Sequence, residues 1–130
     1  MKKIFAILAL AAAWALPAMA IGTDPIAKAA ATYECPVVVG QGLTLQSVLF
    51  DPEALTLTYT CSVPDEMAGK FGEFKKNTAM FADSKAMELT TDPDRELLVQ
   101  SLTDNGVSVV YVFNCGAESC TATITPAMLQ

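Results

Sequence analysis

The chain predicts an α+β domain, an antiparallel sheet of about four strands built from two hairpins with two or three helices packed on one face. Three observations carry this. Near the end, Val107 to Thr125 holds two β-branched and aromatic runs around a short segment bounded by Cys115 and Cys120, with Gly116 in its loop. Earlier, Leu43 to Leu49 and Leu55 to Val63 alternate leucine with threonine on either side of Asp51-Pro-Glu-Ala54. Between these hairpins lie apolar residues at helical spacing with cap signals.

In chain order, Thr23 to Glu34 offers Asp24 as N-cap, Pro25 at the first helical position and an alanine-rich body, a short helix that Pro36 brings to an end. Val37 to Val39 reads as a brief strand or buried connector, and Gly40-Gln-Gly42 lets the backbone turn. The first hairpin has one apolar face if Leu49 opposes Leu55, Leu45 opposes Tyr59 and Leu43 opposes Cys61, which sends Thr44, Gln46, Thr56, Thr58 and Thr60 to the other face. Ser62 with Asp65 suggests a cap for an amphipathic helix carrying Met67, Phe71, Phe74, Thr78 and Phe81, weakened near its start by Gly69 and Gly72. Asp92-Pro93 opens a further helix whose face toward the sheet is Leu97, Leu98, Ser101 and Leu102, and Gly106 closes it. In the last hairpin, Cys115 facing Cys120 puts Phe113 opposite Ala122, Tyr111 opposite Ile124 and Val109 opposite Pro126. Val107 to Phe113 is apolar almost throughout and belongs inside the sheet, with Thr121 to Thr125 at an edge.

The start of the chain is Met-Lys-Lys, then an apolar stretch from Ile4 to Leu16, then Ala18-Met-Ala20, the pattern of a secretory signal. The apolar stretch is short for a membrane span, which needs about 20 residues. Residues 1–20 therefore read as a signal peptide of bacterial type and residues 21–130 as one domain, exported to a periplasm or beyond the cell, with no membrane insertion once the signal is removed. With Ile21 next in line, lipid attachment through an N-terminal cysteine is not expected. Without Lys2 and Lys3, six basic residues stand against fourteen acidic ones, a net charge of −8. That balance disfavours nucleic acid and anionic membranes as partners.

Four cysteines in an exported chain read most simply as two disulfides, and Cys115 with Cys120 and Cys35 with Cys61 is the favoured connectivity of three. The segment Cys35-Pro-Val-Val-Val-Gly-x-Gly-x-x-Leu-x-Ser-Val48, then Leu55-Thr-Leu-Thr-Tyr-Thr60, and later Arg95-Glu-Leu-Leu98 ahead of Val109-Val-Tyr-Val-Phe113, resembles a loose class of small secreted bacterial proteins of uncharacterised function. The resemblance implies a compact disulfide-stapled α+β domain and supplies no catalytic residues.

Histidine is absent, which removes Ser-His-Asp and Cys-His catalysis and histidine-based metal sites together. A redox role for Cys115 and Cys120 fits poorly, because thiol-disulfide catalysts use a two-residue gap at a helix start. Asp92, Asp94 and Glu96 miss the calcium-loop pattern and read as a helix N-terminus, while Asp51 and Glu53 read as turn residues. Lys70, Lys75 and Lys76 form a small basic patch, read as a solvated helix face. No catalytic residue, metal site or cofactor is assigned. The candidate binding face is Thr56, Thr58, Thr60, Val110, Val112, Thr121, Thr123 and Thr125, on the side of the sheet away from the helices. The function expected is non-catalytic binding of a protein or envelope component, with a hydrolase or transferase using Asp and Glu on an envelope glycan as the alternative.

Overall fold

A hydrophobic stripe on each helix meets one face of a single five-stranded sheet in the computed structural model, which describes residues 21–40 and 42–130. The signal peptide expected over residues 1–20 lies outside the described residues. The elements are α1 (Asp24–Ala31), β1 (Val37–Gly40), β2 (Leu43–Asp51), β3 (Thr56–Ser62), α2 (Ala68–Lys75), α3 (Thr78–Thr91), α4 (Glu96–Asn105), β4 (Ser108–Cys115) and β5 (Glu118–Ile124). Short 3₁₀ turns precede α2 and α4 and follow β5.

The strands lie in chain order, and all neighbours are antiparallel except β3 and β4, which run parallel. The α+β class stands. A purely antiparallel sheet of four strands does not: β1 adds a fifth, and the three helices between β3 and β4 form the crossover that parallel neighbours require. This connection carries the chain back to the end of the sheet where β3 began. As a result Tyr59 lies beside Tyr111 and Cys61 beside Phe113.

Two hairpin registers differ from expectation, and differently. The turn after β4 holds only Gly116, at φ 61°, and Ala117, so Cys115 opposes Glu118 and Cys120 opposes Phe113. A tight two-residue loop with glycine first matches the twist of the strands. The expected four-residue loop is thus displaced by two residues. An even slip preserves the faces, so Val109, Phe113, Ala122 and Ile124 still turn inward and are buried. In the first hairpin a bulge between Leu45 and Ser47 reverses the parity partway along β2. Leu45 turns inward opposite Cys61, but beyond the bulge Val48 and Phe50 are the inward residues, opposite Tyr59 and Leu57. Leu49, expected in the core, is 66% exposed.

The helical region also departs in detail. Ser62 stays in β3, where its hydroxyl accepts from Gln46 Nε2 at 2.9 Å instead of capping a helix. The amphipathic stretch is divided, because Asn77 Nδ2 donates to the Glu73 carbonyl at 2.8 Å, terminating α2 before α3 begins. Gly69 and Gly72 each weaken α2 by about 1 kcal/mol relative to alanine. Asp92 accepts from the Asp94 amide at 2.9 Å, but what it caps is the 3₁₀ turn Pro93–Arg95 that leads into α4, which itself begins at Glu96. Gly106 closes α4 at φ 66°, the left-handed residue that a helix end favours. Leu98, Ser101 and Leu102 are buried, whereas Leu97 is 64% exposed because it has rotated off the sheet-facing side.

Candidate functional site

All four helices lie over one face of the sheet, and the other face is uncovered. Lateral pairing converts the alternation along each strand into a grid. One row is Leu49, Thr58, Val110 and Thr123, and the next is Ser47, Thr60, Val112 and Thr121. Thr56 beside Ser108 extends it on one side, and Ser62, Asn114 and Ser119 extend it on the other. Seven of the eight candidate binding residues therefore share one surface: Thr56, Thr58, Thr60, Val110, Val112, Thr121 and Thr123. Thr125 does not, since β5 ends at Ile124 and Thr125 caps the terminal 3₁₀ turn. Two apolar side chains extend the surface toward β1, Leu49 and Val38, the latter 67% exposed and paired with Thr44. Asp51, at a corner beside Thr56, is the one charged residue on this face of the strands. In a chain with fourteen acidic residues, a surface this wide with a single charge at its corner is set apart chemically.

The covered face contains a second feature, which sequence reasoning assigned wholly to the core. Tyr59 and Tyr111 stack with ring centroids 5.0 Å apart and planes within 14°. They floor a cleft of about 140 Å³, walled by Tyr33 after α1, Lys85 and Glu88 of α3, and Asp92 and Arg95 at the start of α4. Among the described residues neither the Tyr59 nor the Tyr111 hydroxyl has a protein hydrogen-bond partner. Burial is the main cause that raises both phenols above the ordinary tyrosine value; Tyr33 adds to it at Tyr59 and Tyr59 adds to it at Tyr111. Both stay neutral donors across the physiological range. The alternation of Tyr59 and Tyr111 with threonine and valine did point them inward. Their stacking depends on the parallel pairing of β3 with β4, for which no local sequence signal exists.

Two carboxylates, Glu88 and Asp92, converge on this cleft, the arrangement a glycan hydrolase would need. Each is engaged already: Glu88 by Lys85 at 3.2 Å, Asp92 by the Asp94 amide and by Arg95 at 3.9 Å. A general acid requires the opposite surroundings, a carboxyl kept from cations. Asp51 and Glu53 do not form a pair, since Asp51 Oδ1 accepts from the Glu53 and Ala54 amides at 3.0 and 3.2 Å and so closes the turn. Among the described residues there is no cluster of three or more metal-ligating side chains and no helix long and apolar enough to cross a membrane.

The cysteines are all free in this structure, and neither expected bridge is present. Cys115 and Cys120 sit diagonally across the last hairpin instead of facing each other. Cys61 is buried, and Cys35 packs against the same core. Burial first and the nearby Cys35 second push the Cys61 thiol up, with Lys85 opposing; burial pushes Cys120 up against the pull of Lys75. Thiols so disposed are poor nucleophiles, because the thiolate is the reactive form.

A one-layer sheet with helices on one side and the other face open defines a small α+β domain. No family model matches the chain, and no curated protein does. In fold it is similar to the crystal structure of a Pseudomonas aeruginosa protein provisionally described as secreted, with a TM-score of 0.58 at 13% identity over 82% of this chain and 88% of that one. At that identity the likeness speaks for the fold.

Proposed function

We propose that this chain is an exported, non-catalytic domain that binds a protein of the cell envelope through the open face of its sheet. The observation that carries the reading is the charge-free grid of Thr56, Thr58, Thr60, Val110, Val112, Thr121 and Thr123, continued by exposed Leu49 and Val38, on an otherwise acidic molecule. Interface cores are poor in charge, and a strand surface of short side chains loses little entropy when covered. Export is supported by the Lys-Lys start, the apolar stretch and Ala18-Met-Ala20, and the Pseudomonas protein of the same fold is described in the same sense. The hydrolase alternative loses its geometric basis where cations occupy Glu88 and Asp92.

Site-specific photo-crosslinking in intact envelopes tests the proposal. A crosslinker at Thr58 or Thr121 should trap one discrete protein, and one at Glu96 on the helical side should not. Thr60→Lys with Val112→Lys should abolish the Thr58 crosslink without altering the circular dichroism spectrum. Equal trapping from Glu96, or a Thr58 crosslink that survives the two lysines, would refute the open-face reading.

A further inference from the structure

A second cavity on the helical side of the sheet, lined in part by Phe81, which meets Tyr111 of the tyrosine cleft edge to face at 5.3 Å, has a different chemistry. Its volume is about 280 Å³, and Leu43, Val63, Met67, Phe71 and Phe113 contribute apolar walls while Lys70 is the only charged residue lining it. That is room for several water-sized groups. We infer that this cavity is a binding site for a single-chain amphiphile with an anionic head, the chemistry of a medium-chain carboxylate.

The inner wall is rigid. Phe74 meets Phe113 edge to face at 4.9 Å and Phe81 at 5.6 Å, and Phe81 meets Phe113 at 5.2 Å. The outer wall is the turn of α2 that carries Lys70 and Phe71 together with Met67, whose unbranched side chain adapts to different apolar shapes. Gly69 and Gly72 are exposed positions of α2 that do not line the cavity, and a Cβ on either would meet nothing within 4 Å. Packing therefore does not demand glycine there. Two residues that loosen a helix, placed where close approach does not require them, leave the backbone of α2 deformable around its anchors Phe71 and Phe74. The far end of α2 is tethered, because Lys75 Nζ pairs with Glu118 of β5 at 3.0 Å. Among the described residues Lys70 enters no ion pair, so its ammonium stays available at the mouth of the cavity. Glu66 and Glu73 are near in sequence but do not line the cavity. An apolar interior with one cation at its rim selects a chain that is uncharged along its length and negative at one end.

Isothermal titration of the purified protein with decanoate, decanol and decyltrimethylammonium provides the test. Decanoate should bind saturably at one site, at least tenfold more tightly than the other two. Lys70→Gln should weaken decanoate about tenfold and leave decanol unchanged. Met67→Trp should fill the cavity and remove decanoate binding while the thermal midpoint is kept. Gly69→Ala with Gly72→Ala should slow association in stopped flow. Absence of saturable decanoate binding, decanol bound as tightly as decanoate, or decanoate affinity untouched by Lys70→Gln would each overturn the inference. Should Met67→Trp fail to fold, the comparison of head groups and Lys70→Gln decides the matter.

Discussion

The backbone nitrogen of Ile21 donates to Oδ2 of Asp104 at 3.1 Å, across 83 residues of sequence. Around it Asn105 Nδ2 donates to the Ile21 carbonyl at 2.9 Å, and the hydroxyl of Ser101, fully buried, donates to the Gly22 carbonyl at 2.7 Å. The end of α4 thus grips the chain at the expected cleavage point. If cleavage follows Ala20, that amide becomes an ammonium already placed on a carboxylate. Asp104→Asn should then lower the stability of the processed protein by about 0.5–1 kcal/mol, an exposed ion pair's usual worth, and change an unprocessed form less. Ser101→Ala should cost about 1 kcal/mol in either form, because the hydrogen bond that ties the Gly22 carbonyl to α4 is lost. Intact-mass determination of the N-terminus with urea melts of both variants is the check, and an Asp104→Asn effect equal in both forms would count against the ammonium.

The bulge in β2 gives a second prediction, in which two adjacent residues exchange their expected roles. Val48 is buried and Leu49 is 66% exposed. Val48→Ala should therefore cost about 2 kcal/mol, while Leu49→Thr, on an open face that suits threonine, should stay within about 0.5 kcal/mol. Denaturant midpoints decide it. A larger loss from Leu49→Thr would restore the bulge-free register.

These residues also show how far the sequence can be read. Alternation of leucine with threonine made the open face legible, and a two-residue slip in the last hairpin left it intact because faces depend only on parity. Nothing in Leu45-Gln-Ser-Val48 announces a bulge, since an extra residue costs one ladder position and leaves composition unchanged. Asp92, Pro93 and Gly106 were legible because capping is local chemistry. The cleft of Tyr59 and Tyr111 was not, since it joins strands separated by the three crossover helices, and only the tertiary path brings their rings together.

Those tyrosines give the protein an alkaline limit. Both phenols have their pKa raised in the folded state above the ordinary value of 10.0, chiefly by burial. The folded state thus holds its phenolic protons more firmly than the unfolded chain. Stability from this source is fully present below pH 10 and is lost as pH rises through the folded values, at about 1.4 kcal/mol per pH unit for each tyrosine once the unfolded phenols ionise. Tyr111→Phe should make the decline above pH 10 shallower by one such increment. Urea unfolding at a series of alkaline pH values measures it, and an unchanged slope would place the Tyr111 hydroxyl in solvent.

Thiol chemistry supplies the final prediction, on the order in which bridges form. Diagonal neighbours on an antiparallel hairpin have Cα atoms about 7–8 Å apart, and a disulfide usually needs about 5.5–6 Å. Cys115 and Cys120 occupy such positions on a tight two-residue turn, so joining them strains the hairpin. Cys35 precedes β1, outside any strand, packs on the core that contains Cys61, and is near enough to shift its ionisation. A segment outside the ladder can move to meet its partner with little loss of pairing. The loop closed by Cys35 and Cys61 spans some 25 residues, for which chain entropy predicts about 3.5 kcal/mol, against about 2 kcal/mol for the short loop between Cys115 and Cys120. Limiting oxidant should therefore join Cys35 to Cys61 first, and Cys35→Ala with Cys61→Ala should lower the stability of the oxidised protein more than Cys115→Ala with Cys120→Ala. Peptide mapping without reductant at successive times reads the order directly. A Cys115 to Cys120 peptide that appears first, or any peptide linking Cys61 to Cys115, would show that the hairpin opens more readily than the segment before β1.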